Sequence, residues 1–174
     1  MTRTLTVGAL TSSHRQDIER IVRATGVFSD AEVDVALELF DETFASPSRR
    51  SAEQAASAPD YEFLGAFDHR ALVGYACFGP TPSTDRTYDL YWIAVHPAAQ
   101  RTGAGAALMN EVERILSERR SRLIVIETSS RDDYAPTRRF YHGRGYEEAA
   151  RLRDFYSPGD DRVVLTRRLT ASAS

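Results

Sequence analysis

Two hydrophobic rhythms run along the chain, and the points where one replaces the other mark out its elements. Thr4 to Ala9 alternates as a strand does. Ser13 followed by Gln16 has the form of a capping box opening a helix through about Ala24, and Ser29 with Glu32 opens a second. In that second helix Val33, Ala36, Leu37, Phe40 and Phe44 recur at three- and four-residue steps and so share one face. Ser46 to Asp60 is rich in Ser, Ala and Pro and reads as a loop. Tyr61 to Asp68 and Ala71 to Gly79 are β-rich runs around a short polar segment, the pattern of a hairpin. Thr87 to Val95 is nearly continuous in aromatic and branched residues, as a strand buried on both faces would be, and His96-Pro97 ends it.

A helical rhythm then returns from about Gly103 to Arg119, with Leu108, Val112 and Ile115 on one face. Leu123 to Thr128 is a compact apolar strand, and Ala135 to Arg144 a short helix with proline in its first turn and Gly145 as its stop. Glu147 to Phe155 and Arg162 to Leu169 form a last pair of strands, turned by Ser157-Pro158-Gly159-Asp160. The order β-α-α-β-β-β-α-β-α-β-β contains no repeat and no linker, which predicts one mixed α/β domain over residues 1–174. Its strand-loop-helix unit is where such folds place a ligand.

Composition narrows the chemistry. The net charge of -3 is spread over 22 basic and 25 acidic residues, with no basic patch of the kind nucleic acids require. All the basic residues are arginine, so Schiff-base, pyridoxal-anchoring and Walker-type lysine chemistry are excluded. No apolar run reaches the roughly 20 residues that span a bilayer, so no membrane partner is expected. Met1 to Leu10 lacks the features of a secretory signal, and a cytoplasmic location is the expectation. The single cysteine, Cys77, lies in an apolar strand and reads as a buried thiol. His14, His69, His96 and His142 show no metal-ligand spacing, so no metal is expected. Asp132-Asp133 and Asp160-Asp161 read as turn and capping residues. Nothing bears on oligomeric state, which leaves a homodimer open.

The stretch Gln100-Arg101-Thr102-Gly103-Ala104-Gly105 joins a buried strand to a helix, where free N–H groups and the positive end of the helix dipole suit an anion. Phosphate is the natural ligand, and a glycine-rich turn without a ligand is the alternative from the loop alone. A dinucleotide fingerprint would need a small residue where Leu108 stands, and a Walker loop would need Gly-Lys-Ser/Thr.

With its preceding strand, Tyr-Asp-Leu-Tyr-Trp-Ile-Ala-Val-His-Pro, this loop resembles the central strand and pyrophosphate loop of the GNAT acyltransferases. Phe140-Tyr141-His142-Gly143-Arg144-Gly145-Tyr146 is similar to the Phe-Tyr-x-x-x-Gly-Phe/Tyr signature that the family carries on the helix after its next strand. The resemblance covers roughly Glu62 to Leu169. It implies the GNAT fold: a central mixed sheet of about seven strands with one splayed pair, flanked by about four helices. It also implies acetyl-CoA as co-substrate. Pantetheine would pair with the main chain near Ile93 and Val95, and pyrophosphate would rest on N–H groups contributed from Gln100, Arg101, Thr102, Gly103, Ala104, Gly105 and Ala106. Tyr134 stands where many members have Asn, with Thr137 in the next small-residue position, and both are expected near the cofactor.

The implied reaction is N-acetyl transfer from acetyl-CoA to the primary amine of a small molecule, by direct attack in a ternary complex. Another acyl-CoA, a peptide amine, or an idle CoA-binding sensor are the alternatives. Tyr141 matches the family tyrosine that assists the leaving thiolate. Asp89 lies six positions before Val95, where many members carry a catalytic Glu, and is the candidate base, acting through water. Glu127 is the other candidate, as base or as anchor for the amine. Phe28 and Tyr91 are expected to line the acceptor pocket together with Glu127.

Overall fold

Seven strands hydrogen-bond into one sheet in the order β1-β2-β3-β4-β5-β7-β6. The computed structural model describes residues 5–44 and 61–169, so the loop expected at Ser46 to Asp60 lies outside the described residues. Within them the chain runs through β1 (Leu5–Ala9), α1 (Arg15–Thr25), α2 (Asp30–Phe44), β2 (Glu62–Asp68), β3 (Ala71–Pro80), β4 (Thr87–Val95) and α3 (Ala104–Glu118). It continues through β5 (Leu123–Ser129), α4 (Ala135–His142), β6 (Glu147–Ser157) and β7 (Asp160–Arg168). β4 and β5 are parallel and every other neighbouring pair is antiparallel. The expected mixed fold, its strand count and its helices are therefore present.

Both faces of the sheet are covered, which is why β3 and β4 read as nearly unbroken apolar runs. On one face α1 and α2 bury Ile18, Ile21, Val33, Leu37 and Phe40 against Tyr75, Cys77 and Ala94. On the other, α3 buries Leu108, Met109, Val112 and Leu116 against Ala76, Phe78, Leu90, Ile124 and Ile126. The period-2 alternation of β3 sends Tyr75 and Cys77 to the first layer, and Ala76 and Phe78 to the second. Cys77 is fully buried and its thiol is pushed far up by that burial, so it is not a nucleophile.

Local signals were right in kind and displaced in detail. The second capping box forms as read: Ser29 N–H donates to Glu32 Oε2 at 2.7 Å and Glu32 N–H to Ser29 Oγ at 3.3 Å. The first does not use Ser13 and Gln16. Thr11 opens a 3-10 turn at Ser12–His14 and its N–H donates to His14 Nδ1 at 3.0 Å, before α1 begins at Arg15. A histidine can supply the reaching-back acceptor that the capping-box pattern seeks in Glu or Gln. The last hairpin is tighter than expected: Ser157 already pairs with Asp160, so the turn is Pro158-Gly159 and β7 starts two residues before Arg162. α4 ends at His142 and Gly145, at φ 80°, closes the turn that follows.

The helix layer beneath β5 and β7 is held by one carboxylate. Glu113 of α3 accepts from Arg144 at 2.8 Å, from Arg167 of β7 at 2.8 Å and from the Tyr146 hydroxyl at 3.2 Å. Its side chain is only 13% exposed and that of Arg144 16%. Removing one partner of a buried ion pair strands the others. Glu113→Ala is expected to lower stability by about 3 kcal/mol or more, read from chemical denaturation at pH 7.

Candidate active site

The parallel pairing of β4 with β5 is short. Thr87 to Leu90 match Leu123 to Ile126, and beyond those residues the two strands share no register. β4 goes on pairing with β3 as far as Val95, and β5 with β7 as far as Ser129. The strands therefore part at Leu90 and Ile126 and leave main-chain groups of Tyr91 to Val95 facing a wedge. A bulge sharpens it: Cys77 matches Trp92 and Phe78 matches Leu90, so Tyr91 has no opposite number in β3. Tyr91 and Trp92 then both pack in the α1/α2 layer, whereas Ile93 and Val95 pack in the α3 layer.

At the far end of β4 the loop turns into α3. Gly103 has φ 95° and Arg101 φ 59°, left-handed conformations that let the chain reverse tightly before the helix. The Thr102 hydroxyl donates to Ala99 O at 2.6 Å, and Gln100 Nε2 donates to Val95 O at 3.3 Å, tying the loop to itself and to the strand end. The first helical bond is Ala107 N–H to Gly103 O at 2.8 Å. Among the described residues, the N–H groups of Gly103, Ala104, Gly105 and Ala106 meet no acceptor. α1 and α2 carry Asp17, Asp30 and Glu32 in their first turns, but α3 carries no acid there. Free donors at a positive dipole end with no anion of their own suit a phosphate. Arg101 is exposed beside them.

On the α3 side of the wedge stands α4. Tyr141 is buried, 2% exposed, with its ring 5.5 Å from Phe140 and 5.7 Å from Tyr146. Burial pushes its hydroxyl well above the ordinary tyrosine range, so it is a proton donor across neutral pH. It makes no hydrogen bond among the described residues, and it is not one of the sealed, unpartnered polar atoms of the core. Arg138 fixes the approach of α4 by donating to Ser129 O at 2.6 Å and Arg131 O at 2.9 Å. Thr137 is half-buried in the first turn of the same helix.

The opposite side of the wedge is aromatic and acidic. Asp89 accepts from the Thr81 hydroxyl at 2.7 Å, and the Tyr91 hydroxyl is pushed up first by burial and then by the Asp89 charge. Phe28, in the connection between α1 and α2, lies 4.9 Å from Trp92 and 6.5 Å from Tyr134, centroid to centroid. Arg131 spans the opening, 5.2 Å above the Tyr134 ring and donating to Val27 O at 3.3 Å. Trp92 Nε1–H is buried without a partner. The ring of Tyr134 thus packs with Phe28, while Glu127 is ion-paired to Arg162 of β7.

So Asp89, Tyr91, Trp92 and Phe28 collect on one side of the opening, Tyr141 on the other, and the loop Gln100 to Ala106 at its end. Thr81, Arg131 and Arg138 were not anticipated. They are a turn threonine and two arginines among 22, and only the sheet register and the helix packing reveal what they reach.

A mixed sheet with a splayed parallel pair, and a loop of free N–H donors opening the helix beside it, is the arrangement of an acyltransferase fold. The chain belongs to the acetyltransferase (GNAT) family, whose family model matches residues 30–146. It is 29% identical over 170 residues to the N-alpha-acetyltransferase RimI of Mycobacterium tuberculosis, covering 95% of this chain and 94% of that one. A crystal structure of a GNAT-family acetyltransferase from Desulfovibrio desulfuricans is 38% identical, with a TM-score of 0.82 over 96% of this chain and 100% of that one. YncA of Salmonella typhimurium, solved with its cofactor acetyl-CoA, shares the fold at 19% identity, with a TM-score of 0.70 over 98% and 97% of the two chains. The protein is an acetyl-CoA-dependent acetyltransferase.

A Cβ placed on Gly105 would meet only Phe140 at 3.7 Å and Val95 at 3.8 Å, ordinary contacts, so the fold has room for a side chain there. Gly105→Val is expected to keep its melting temperature and to weaken CoA binding by about 100-fold, as measured by calorimetry. Unchanged affinity would detach the cofactor from this loop.

Proposed function

We propose that the enzyme acetylates the primary amine of a small molecule by direct attack within a ternary complex. The observation that carries this reading is the pairing of two groups across one opening. Tyr141 offers an unpaired hydroxyl on the α3 side, and Asp89 offers a half-buried carboxylate on the α1/α2 side. The loop donors from Gly103 to Ala106 bind the pyrophosphate, and main-chain groups near Ile93 and Val95 hold the pantetheine arm. The amine then reaches the thioester from the side of Phe28, Tyr91 and Trp92.

Asp89, through a water, takes a proton from the arriving ammonium ion, and the neutral nitrogen attacks the thioester carbon. As the carbon–sulfur bond breaks, Tyr141 passes its proton to the departing thiolate, and the second proton that the attacking nitrogen loses on becoming the amide returns through water to the Tyr141 oxygen. Thr81 holds Asp89 in place at 2.7 Å. A second reading, the α-amine of a polypeptide, is supported by the similarity to RimI along nearly the whole chain.

The direct test is a thiol-release screen across polyamines, amino acids, aminoglycosides and peptides with free N-termini, with products identified by mass spectrometry. Acetylated small amines are expected. Turnover of peptides alone would establish the second reading, and O-acetylated products alone would overturn both.

Tyr141→Phe removes the proton and keeps the packing, so kcat is expected to fall about 100-fold with acetyl-CoA affinity little changed. Full kcat in that variant would pass the role to another group. In the wild type, kcat/KM should rise with pH as the amine loses its proton. Burial raises the Tyr141 hydroxyl above the ordinary value of 10.0, so no falling limb should appear below that pH. Asp89→Asn should lower kcat/KM at neutral pH, and an unaltered kcat/KM would remove Asp89 as the base.

A further inference from the structure

Among the described residues, Asp160 is the single charged residue that is buried, at 5% exposure. It opens β7 directly after the Pro158-Gly159 turn and reaches across to the exit of β5. Its Oδ1 accepts both available bonds, from the Ser129 hydroxyl at 2.5 Å and from Ser130 N–H at 3.3 Å. Oδ2 accepts none among the described residues, and it is not a sealed atom. Among the described residues Asp160 makes no ion pair, and Arg131, a cation that feels its charge, is bonded to Asp133 at 2.8 Å and stacked on Tyr134.

A turn cap explains the two bonds to Oδ1, and asparagine would make them equally well. It does not explain a buried negative charge with no counter-ion, which is costly unless a cation completes it. The free oxygen lies in the neighbourhood of the acceptor mouth. Ser129 ends β5 past the point where the strands part. Tyr134 and Tyr156, both pushed up chiefly by burial, each feel Asp160 and also Glu32 of α2. Tyr134 in turn packs against Phe28, which packs against Trp92.

Asp160 is also displaced from the reacting end. Asp89 is level with Val125 in the register, and Ser129 stands four residues further along β5, about 13 Å at roughly 3.3 Å per residue. A cation held by Asp160 is therefore not the nitrogen whose proton Asp89 receives. Glu127, expected from the sequence as base or anchor, already has Arg162 as its partner.

We infer that Asp160 is a specificity-determining residue that binds a second positive charge on the acceptor, so that the preferred substrates are amines carrying another cationic group several bonds from the reacting nitrogen. This rests on the amine reading of the site, and it narrows the substrate class to dications.

The test compares 1,4-diaminobutane with butylamine, a matched pair differing in the second charge. Calorimetry on the CoA-bound protein needs no turnover. The diamine is expected to bind about 10-fold or more tighter, the scale of a hydrogen bond to a charged group. Asp160→Asn keeps an acceptor oxygen for Ser129 and Ser130, so the protein should melt as the wild type does. It should abolish the preference by weakening the diamine alone. In turnover, the same variant should raise KM for the diamine about 10-fold while leaving kcat, and KM for butylamine, nearly unchanged. Equal binding of the two amines by the wild type, or a preference that survives in Asp160→Asn, overturns the inference. A failure of every amine to be acetylated would instead strike the proposed reaction, and the binding comparison would still decide the role of Asp160.

Discussion

The length of one parallel strand pairing governs everything else in this molecule. β4 and β5 are joined through Leu90 and Ile126 and then separate, each still held by its outer neighbour. A sheet interior that opens in this way exposes main-chain donors and acceptors in the middle of a packed protein, where unsatisfied groups are costly. The cost is tolerated because rigid partners fix both strands. β3 carries β4 to its end, and Arg138 ties the β5 exit to α4. The bulge at Tyr91 contributes by turning two adjacent aromatic residues to the same face, something a regular strand cannot do. The wedge is thus a polar cleft kept open by apolar packing on either side.

Much of this was legible beforehand because it is written in short-range patterns. The α3 loop combines a buried strand, alternating glycines and a helix start within a few residues, and its free N–H groups follow from helix geometry alone. The same holds for α2, whose capping box and apolar stripe agree with each other. The misplaced boundaries have a shared physical origin. Thr11 with His14, and Ser157 with Asp160, close local hydrogen bonds that several neighbouring residues could have made equally well.

Long-range placement was not legible, and it decides the acceptor side. Glu127 was a candidate base or anchor at a strand end, and no local pattern foretold that β7 brings Arg162 beside it. Tyr134 was expected with the cofactor by analogy of position, and no local pattern foretold that its ring packs toward Phe28 across more than a hundred residues of sequence. Asp160 looked like one of a pair of turn residues, and only its burial separates it from Asp161, which faces Arg151 at the surface. Burial of a charge is a property of the whole fold, invisible to any local window.

The absence of lysine acquires a meaning once the ion pairs are seen. Arginine supplies the cation for Asp41, Asp30, Glu62, Glu111, Glu113, Glu127 and Asp133 alike. A guanidinium stays protonated at any pH where thioesters survive, and it is a poor nucleophile for the same reason. An enzyme that holds an activated acetyl group near its own surface is thereby built without side-chain amines that could intercept it. Its electrostatic scaffold is inert toward the reagent it handles.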